Sequence, residues 1–143
     1  MQHLVAHRGL SQMVKVDSAG TSSYHIGEPA DRRMREAAQQ RGYDLTSRSR
    51  QISPRDLRNF DLIVAMDRNN YREVLLLQSE PVTNLRMLAD YLDQSWPREV
   101  PDPYYGGEDG FHRVLDMLEA ACPQILGELL TETTTEKSET AGD

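Results

Sequence analysis

An uninterrupted apolar run between two aspartates constrains the fold more than any other feature of the sequence. Asp61 and Asp67 enclose the run L-I-V-A-M at positions 62–66. A strand that is apolar at every position suits a parallel sheet covered on both faces, whereas a strand with one solvated face alternates. The run therefore predicts a buried parallel strand, and Asp67 is placed to cap the helix that follows.

Weaker patterns on both sides of this strand alternate between strand and helix character. Residues Met13–Asp17 alternate apolar and polar side chains, with β-branched Val14 and Val16, and predict a second strand. A further strand is predicted at residues 85–88. Helices are predicted at residues 1–8, 31–41, 54–60, 67–75 and 111–130. Strands that alternate with helices indicate an α/β fold around a parallel sheet.

Composition limits the size of the domain and the class of partner. The 143 residues and the hydrophobic fraction of 38% fit one modest domain. Because apolar residues almost vanish after Leu130, we predict a domain over residues 1–130 and a disordered acidic tail over 131–143. The net charge of −7 argues against nucleic acid or an anionic membrane as the partner. With no apolar run near the ~20 residues of a bilayer span and no signal-peptide pattern, we expect a soluble cytoplasmic protein.

The sequence contains a single cysteine, Cys122. One cysteine excludes an intramolecular disulfide and a cysteine-based metal cluster within the chain. Cys122 falls on the apolar stripe of the last predicted helix, so we interpret it as a buried structural thiol. No pattern for a metal or an organic cofactor is present, and we predict neither.

Three stretches together resemble one protein family. They are D-S-A-G-T-S at residues 17–22, F-D-L-I-V-A-M-D at 60–67 and V-P-D-P-Y-Y-G-G-E-D-G-F at 100–111. In this order and spacing they resemble the low-molecular-weight protein-tyrosine phosphatases, over residues 1 to 130. The resemblance implies a four-stranded parallel sheet of order 2-1-3-4 flanked by helices. The strand predicted at residues 13–17 would be its second strand, and the interior first strand would be absent from this chain.

The resemblance also implies a reaction, the hydrolysis of a phosphate monoester through a phosphocysteine intermediate, with no cofactor. The substrate would be a phosphotyrosine-containing protein or a small aryl phosphate. The family's nucleophile lies in a C-x5-R loop. Backbone N–H groups in that loop lower the pKa of the cysteine thiol, and the arginine holds two phosphate oxygens.

Individual residues of this chain match positions of the family site. Asp102 matches the general acid, which protonates the departing phenolate and then activates water. Ser18 matches a serine that supports the phosphate loop, whereas Ser47 stands where many members carry a histidine in that supporting shell. The positions that match the entrance and the rim of the substrate pocket are Tyr24, His25, Tyr104 and Tyr105.

The nucleophile of the family is not among these residues. No C-x5-R occurs in the sequence, because Glu128 stands six positions after Cys122. The helix predicted at residues 1–8 also begins in the middle of its pattern, without a cap. We therefore expect the natural protein to begin upstream, with ~20 further residues that carry the strand and the cysteine loop. We expect the present chain alone to be inactive.

Other interpretations predict different behaviour. The arsenate reductases that share the fold are disfavoured, because they need further redox cysteines. A catalytically inactive, phosphatase-like binding or regulatory protein would fold cooperatively without cleaving aryl phosphates. A degenerate gene product would not fold cooperatively.

Overall fold

A computed structural model describes residues 1–105 and 107–140, and it leaves out the side chains of residues 105, 108 and 133–140. The helices and strands are, in order, α1 Gln2–His7, α2 Arg32–Gln40, α3 Pro54–Asn59, β1 Ile63–Ala65, α4 Arg68–Leu75, β2 Leu85–Met87 and α5 Gly107–Thr140. Two 3₁₀ turns occupy Leu88–Tyr91 and Pro103–Tyr105. Among the described residues, none of the helices has the length and apolar content that a membrane span requires.

Residues 63–65 of the apolar run form the predicted strand, but the predicted burial is only partly correct, because Ala65 is buried whereas Ile63 and Val64 are half-buried. β1 pairs in parallel with β2, with Ile63 opposite Leu85 and Ala65 opposite Met87. The predicted cap of the following helix is also confirmed, since Asn70 N donates to Asp67 Oδ1 at 2.7 Å. The parallel pairing and the flanking helices confirm the α/β class.

Buried apolar side chains on α5 and under the sheet hold these elements together. On one side, α5 packs against α2 through Phe111, Leu115, Ala37 and Ala38. The middle of α5 contributes Met117, Ala121 and Ile125 to a second cluster. A third cluster lies at the sheet and contains Leu57, Ala65, Val74 and Leu85. The helical spacing of the apolar residues therefore buries one face of α5, as predicted.

The strand predicted at residues 13–17 does not form. After a turn in which Val14 N donates to Leu10 O at 2.9 Å, the segment makes no ladder with another strand in the described part of the chain. Val14 and Val16 are only half-buried. Alternation supplies an apolar face, but a strand also needs a partner for its backbone groups, and the pattern alone cannot provide one.

Three further predictions differ from the structure or extend beyond it. Within residues 1–105 and 107–140 the sheet has two strands, not the four that the resemblance implies. Cys122 is half-buried rather than fully buried. α5 continues to Thr140, across residues assigned to a tail, while the domain boundary at residue 130 stays a prediction.

Candidate active site

A cleft of about 240 Å³ separates β1 from the segment that follows residue 16. Residues 62–66 form one side, here called the sheet wall, and residues 17–21 form the other, here called the loop wall. A second cavity of about 430 Å³ shares residues Asp17, Arg50, Asp56, Phe60 and Leu62 with this cleft. Since β1 pairs with β2 on its other side, the edge of β1 that faces the cleft has no strand partner among the described residues.

Arg50 ties the loop wall to the start of α3. Its guanidinium donates to Asp56 through Nη1 at 3.0 Å and Nη2 at 3.2 Å, and to Asp17 Oδ2 through Nε at 3.1 Å. Ser53 N donates to the same Asp56 carboxylate at 2.8 Å. The hydrogen bonds from Arg50 hold the pKa of the Asp56 carboxyl below its usual range, although burial opposes this shift. The loop wall is therefore fixed by charged groups.

Backbone hydrogen bonds at Gly20 make the other attachment of the loop wall. Gly20 N donates to Arg50 O at 2.8 Å, and Ile52 N donates to Gly20 O at 2.8 Å. Ser18 lines the cleft, and its backbone N–H donates to Asp17 Oδ1 at 2.8 Å. The supporting role implied for the Ser18 hydroxyl stays a prediction.

Residues 101–105, here called the acid loop, begin at the carboxyl end of the sheet wall. Val100 N donates to Met66 O at 2.9 Å, so Asp102 follows this bond by two residues. Asp102 is exposed, and its Oδ1 accepts a hydrogen bond from Tyr104 N at 2.9 Å. Parallel sheets bind ligands outside the carboxyl ends of their strands, and the hydrogen bond between Val100 and Met66 starts the acid loop at that end of β1.

Tyr24 and His25 lie on residues 22–28, here called the rim segment. The side chain of Tyr24 is strongly exposed, with 79% of its surface accessible. His25 adopts a positive φ of 62°, and its Nδ1 lies 2.8 Å from Glu28 Oε2. The rim segment is attached to residues 48 and 49. Arg48 Nη1 donates to Gly27 O at 3.0 Å, Gly27 N donates to Ser49 O at 2.7 Å, and Ser49 N donates to Glu28 O at 2.8 Å.

The predicted site residues lie in three separate places. Ser18 lines the cleft, whereas Asp102, Tyr104, Tyr24 and His25 are not among the residues that line it. Asp102 and Tyr104 share one turn, and Tyr24 and His25 are neighbours on the rim segment, with ring centroids 6.3 Å apart. Tyr104 is exposed, and its place at the pocket entrance stays a prediction. The side chain of Tyr105 lies outside the described residues.

Sequence reasoning did not identify Arg33 as part of this region. Its guanidinium carbon lies 5.0 Å from the centroid of the Tyr104 ring and 4.9 Å from that of the Phe111 ring. Both partners are distant in sequence, so no local spacing signals the contact. Its neighbour Asp31 was identified only as the cap of α2, which it is, since Arg33 N donates to Asp31 Oδ1 at 2.8 Å.

Comparisons with known proteins agree with this architecture. The family model described as low molecular weight phosphotyrosine protein phosphatase matches residues 1–137. A Synechocystis sp. protein that carries the name low molecular weight protein-tyrosine-phosphatase is 46% identical over 133 residues, which is 90% of this chain and 83% of that protein. The Homo sapiens low molecular weight phosphotyrosine protein phosphatase is 32% identical over 126 residues, covering 86% and 79% of the two chains. A crystal structure of protein tyrosine phosphatase from Entamoeba histolytica superimposes with a TM-score of 0.86 at 42% identity, covering 92% and 85%.

Proposed function

This chain belongs to the low molecular weight phosphotyrosine protein phosphatase family, and from that premise we propose that it supplies the part of a protein-tyrosine phosphatase site that contains the general acid. The proposed substrate is a phosphotyrosine-containing protein or a small aryl phosphate. The hydrogen bond from Val100 N to Met66 O carries this proposal. It holds the backbone two residues before the exposed Asp102 at the carboxyl end of β1, where a parallel sheet presents its ligand.

Asp102 has two successive roles in the proposed reaction. In the first step a cysteine thiolate attacks phosphorus, a P–S bond forms, and the bond between phosphorus and the aryl oxygen breaks. Protonated Asp102 gives its proton to the departing phenolate oxygen. In the second step the Asp102 carboxylate takes a proton from water as that water attacks phosphorus. Inorganic phosphate then leaves and the thiolate is restored.

The thiolate in this scheme does not come from Cys122. That side chain is half-buried on α5, and Glu128 rather than an arginine stands six positions later. We propose that a C-x5-R segment outside these residues supplies the nucleophile, and that its strand occupies the cleft. Neighbouring strands lie ~4.8 Å apart, so one strand inserted between the two walls would separate them by ~9.6 Å. The unpartnered edge of β1 in the described structure supports this arrangement.

The aromatic side chains of the rim segment and the acid loop are proposed to hold the substrate ring. Tyr24 and Tyr104 are both exposed, at 79% and 62% of their surface, and exposed tyrosines present flat faces for stacking at little entropic cost. His25 and Tyr105 complete the proposed set. Ser18, which lines the cleft, is proposed to hydrogen-bond the incoming phosphate loop.

Hydrolysis of p-nitrophenyl phosphate and of phenyl phosphate tests the proposal. We expect no turnover by this chain alone, and turnover once the residues encoded directly upstream precede it. In that extended chain, Asp102→Asn should lower kcat for phenyl phosphate ~10²–10⁴-fold, because the unactivated phenolate needs a proton to leave. Asp109→Asn, which removes an exposed carboxylate on α5, is the matched control and should leave kcat unchanged.

Three outcomes would contradict the proposal. Full activity of Asp102→Asn would show that Asp102 is not the general acid. A cooperative melting curve without turnover by the extended chain would favour a phosphatase-like binding protein. The absence of a cooperative transition would favour a degenerate product.

A further inference from the structure

A cation–π contact joins the acid loop to the core of the domain. The Arg33 guanidinium lies between two rings, with its Cζ 5.0 Å from the Tyr104 centroid and 4.9 Å from the Phe111 centroid. Both distances fall within the ~6 Å over which a cation is attracted to an aromatic face. Three separate elements therefore meet at one side chain: the first turn of α2, the 3₁₀ turn at Pro103–Tyr105 and the start of α5.

The orientation of the guanidinium is fixed from the α2 side. Arg33 Nε lies 3.3 Å from Asp31 Oδ1, and Nη2 lies 3.3 Å from Asp31 Oδ2, which is a two-pronged arrangement. The same carboxylate accepts from Arg33 N at 2.8 Å and caps α2. A planar group held at two points has little freedom to rotate, so it presents its faces to the rings in a constant direction.

The Phe111 ring gives this arrangement a rigid base. Phe111 is 2% exposed and packs in the cluster that contains Ala37 and Ala38 of α2. Tyr104 is 62% exposed, so it has far less packing of its own. Arg33 therefore connects a ring that is fixed in the core to a ring that lies on the surface.

The Tyr104 backbone is in turn connected to the Asp102 carboxylate. Tyr104 N donates to Asp102 Oδ1 at 2.9 Å. The loop is also confined from the side of α5, because a Cβ placed on Gly110 would lie 3.1 Å from Pro103 O. A displacement of Tyr104 would therefore change the position of the carboxylate as well.

We propose that Arg33 is a positioning residue for the general acid, which it holds through the Tyr104 ring without contacting the substrate. This inference rests on the proposed function of Asp102. Loss of the guanidinium would leave the fold intact and allow the acid loop to move. Arg33 would then matter for the proton transfer to the leaving group, and much less for the attack on phosphorus.

The first test uses this chain without any activity. Arg33→Met keeps an unbranched side chain but removes the charge and the plane, and Arg33→Lys keeps the charge. The matched control is Arg32→Met, because Arg32 is 79% exposed at the side chain and pairs only loosely with Glu36, at 3.7 Å. In Arg33→Met, hydrogen exchange of the Tyr104 amide should accelerate about three- to tenfold, as expected for the loss of one or two exposed cation–π contacts. Arg33→Lys should restore part of the protection, and unchanged exchange in Arg33→Met would overturn the proposal.

The second test uses the chain extended by its upstream residues and compares two leaving groups. The activated ester p-nitrophenyl phosphate has an electron-withdrawing substituent and releases a stable phenolate that needs little protonation. Phenyl phosphate releases a more basic phenolate and needs the general acid. Arg33→Met should lower kcat for phenyl phosphate about tenfold, by ~1.4 kcal/mol of barrier, and leave kcat for the activated ester nearly unchanged. An equal loss with both esters would indicate a merely structural role and overturn the proposal. If the wild-type extended chain has no turnover, the proposed function fails, and the exchange of the Tyr104 amide alone decides whether Arg33 holds the acid loop.

Discussion

The two walls of the cleft are held by different kinds of interaction. The sheet wall has a ladder to β2 on one side, and its Ala65 is buried with Val74 and Leu85. The loop wall is largely exposed at residues 17–20, and it is held by the ion pairs of Arg50 and two hydrogen bonds at Gly20. Apolar burial is insensitive to pH, whereas charged contacts depend on it. We therefore expect the sheet wall to unfold only together with the whole domain, and the loop wall to open locally under milder conditions.

Truncation of the sheet wall's apolar support should give the largest effect. Leu85 is 3% exposed, so Leu85→Ala should lower the free energy of unfolding by ~2–5 kcal/mol through lost burial and the cavity left behind. Urea denaturation measures this change. Leu76→Ala is the control, because Leu76 is 84% exposed and its loss should change stability by less than ~0.5 kcal/mol. Equal effects of the two substitutions would show that the sheet wall is not the stable side.

Removal of the carboxylate that anchors Arg50 should give a smaller and more local effect. Asp56→Ala removes the acceptor of Arg50 Nη1, Arg50 Nη2 and Ser53 N, a loss of ~1–3 kcal/mol, while Arg50 Nε keeps its bond to Asp17. In this variant, hydrogen exchange should accelerate at the Gly20 and Ile52 amides. It should change much less at the Ile63 amide, which donates to Asn84 O in the sheet. Asp44→Ala, at an exposed carboxylate, is the control. Uniform acceleration across both walls would contradict the distinction between them.

Acidification should give the smallest effect, because it neutralises Asp56 without removing it. The pKa of Asp56 in the folded protein lies below its ordinary value of 3.8. The unfolded chain therefore binds the proton first, and the stabilisation is complete above that ordinary value and is lost as the pH falls through the lower folded value. Exchange at Gly20, corrected for the intrinsic pH dependence, should accelerate relative to exchange at Ile63 as the pH falls below 3.8. This difference should vanish in Asp56→Ala, and its persistence there would assign the pH response to another group.

The same contrast explains which features the sequence predicts. β1 is predictable because its apolar run and its partner strand both lie within the described chain, and the caps at Asp31 and Asp67 are local. Residues 13–17 have a comparable strand pattern but form no ladder with another described residue, because pairing is a property of two segments. The residues of the candidate site also differ in how well the sequence predicts them. The motif at residues 100–111 identifies Asp102, whereas the Arg33 contact depends on packing between α2 and α5, which no local pattern encodes.

The attachment of the rim segment has an evolutionary consequence. Its backbone is bound to residues 48 and 49, while Tyr24 and Ile26 project from it with 79% and 57% of their surface exposed. Substitutions of such exposed side chains change stability by only ~0.5 kcal/mol. Related genes can therefore differ in the side chains that the rim segment presents to an incoming protein, while the packing of β1, α2 and α5 stays the same.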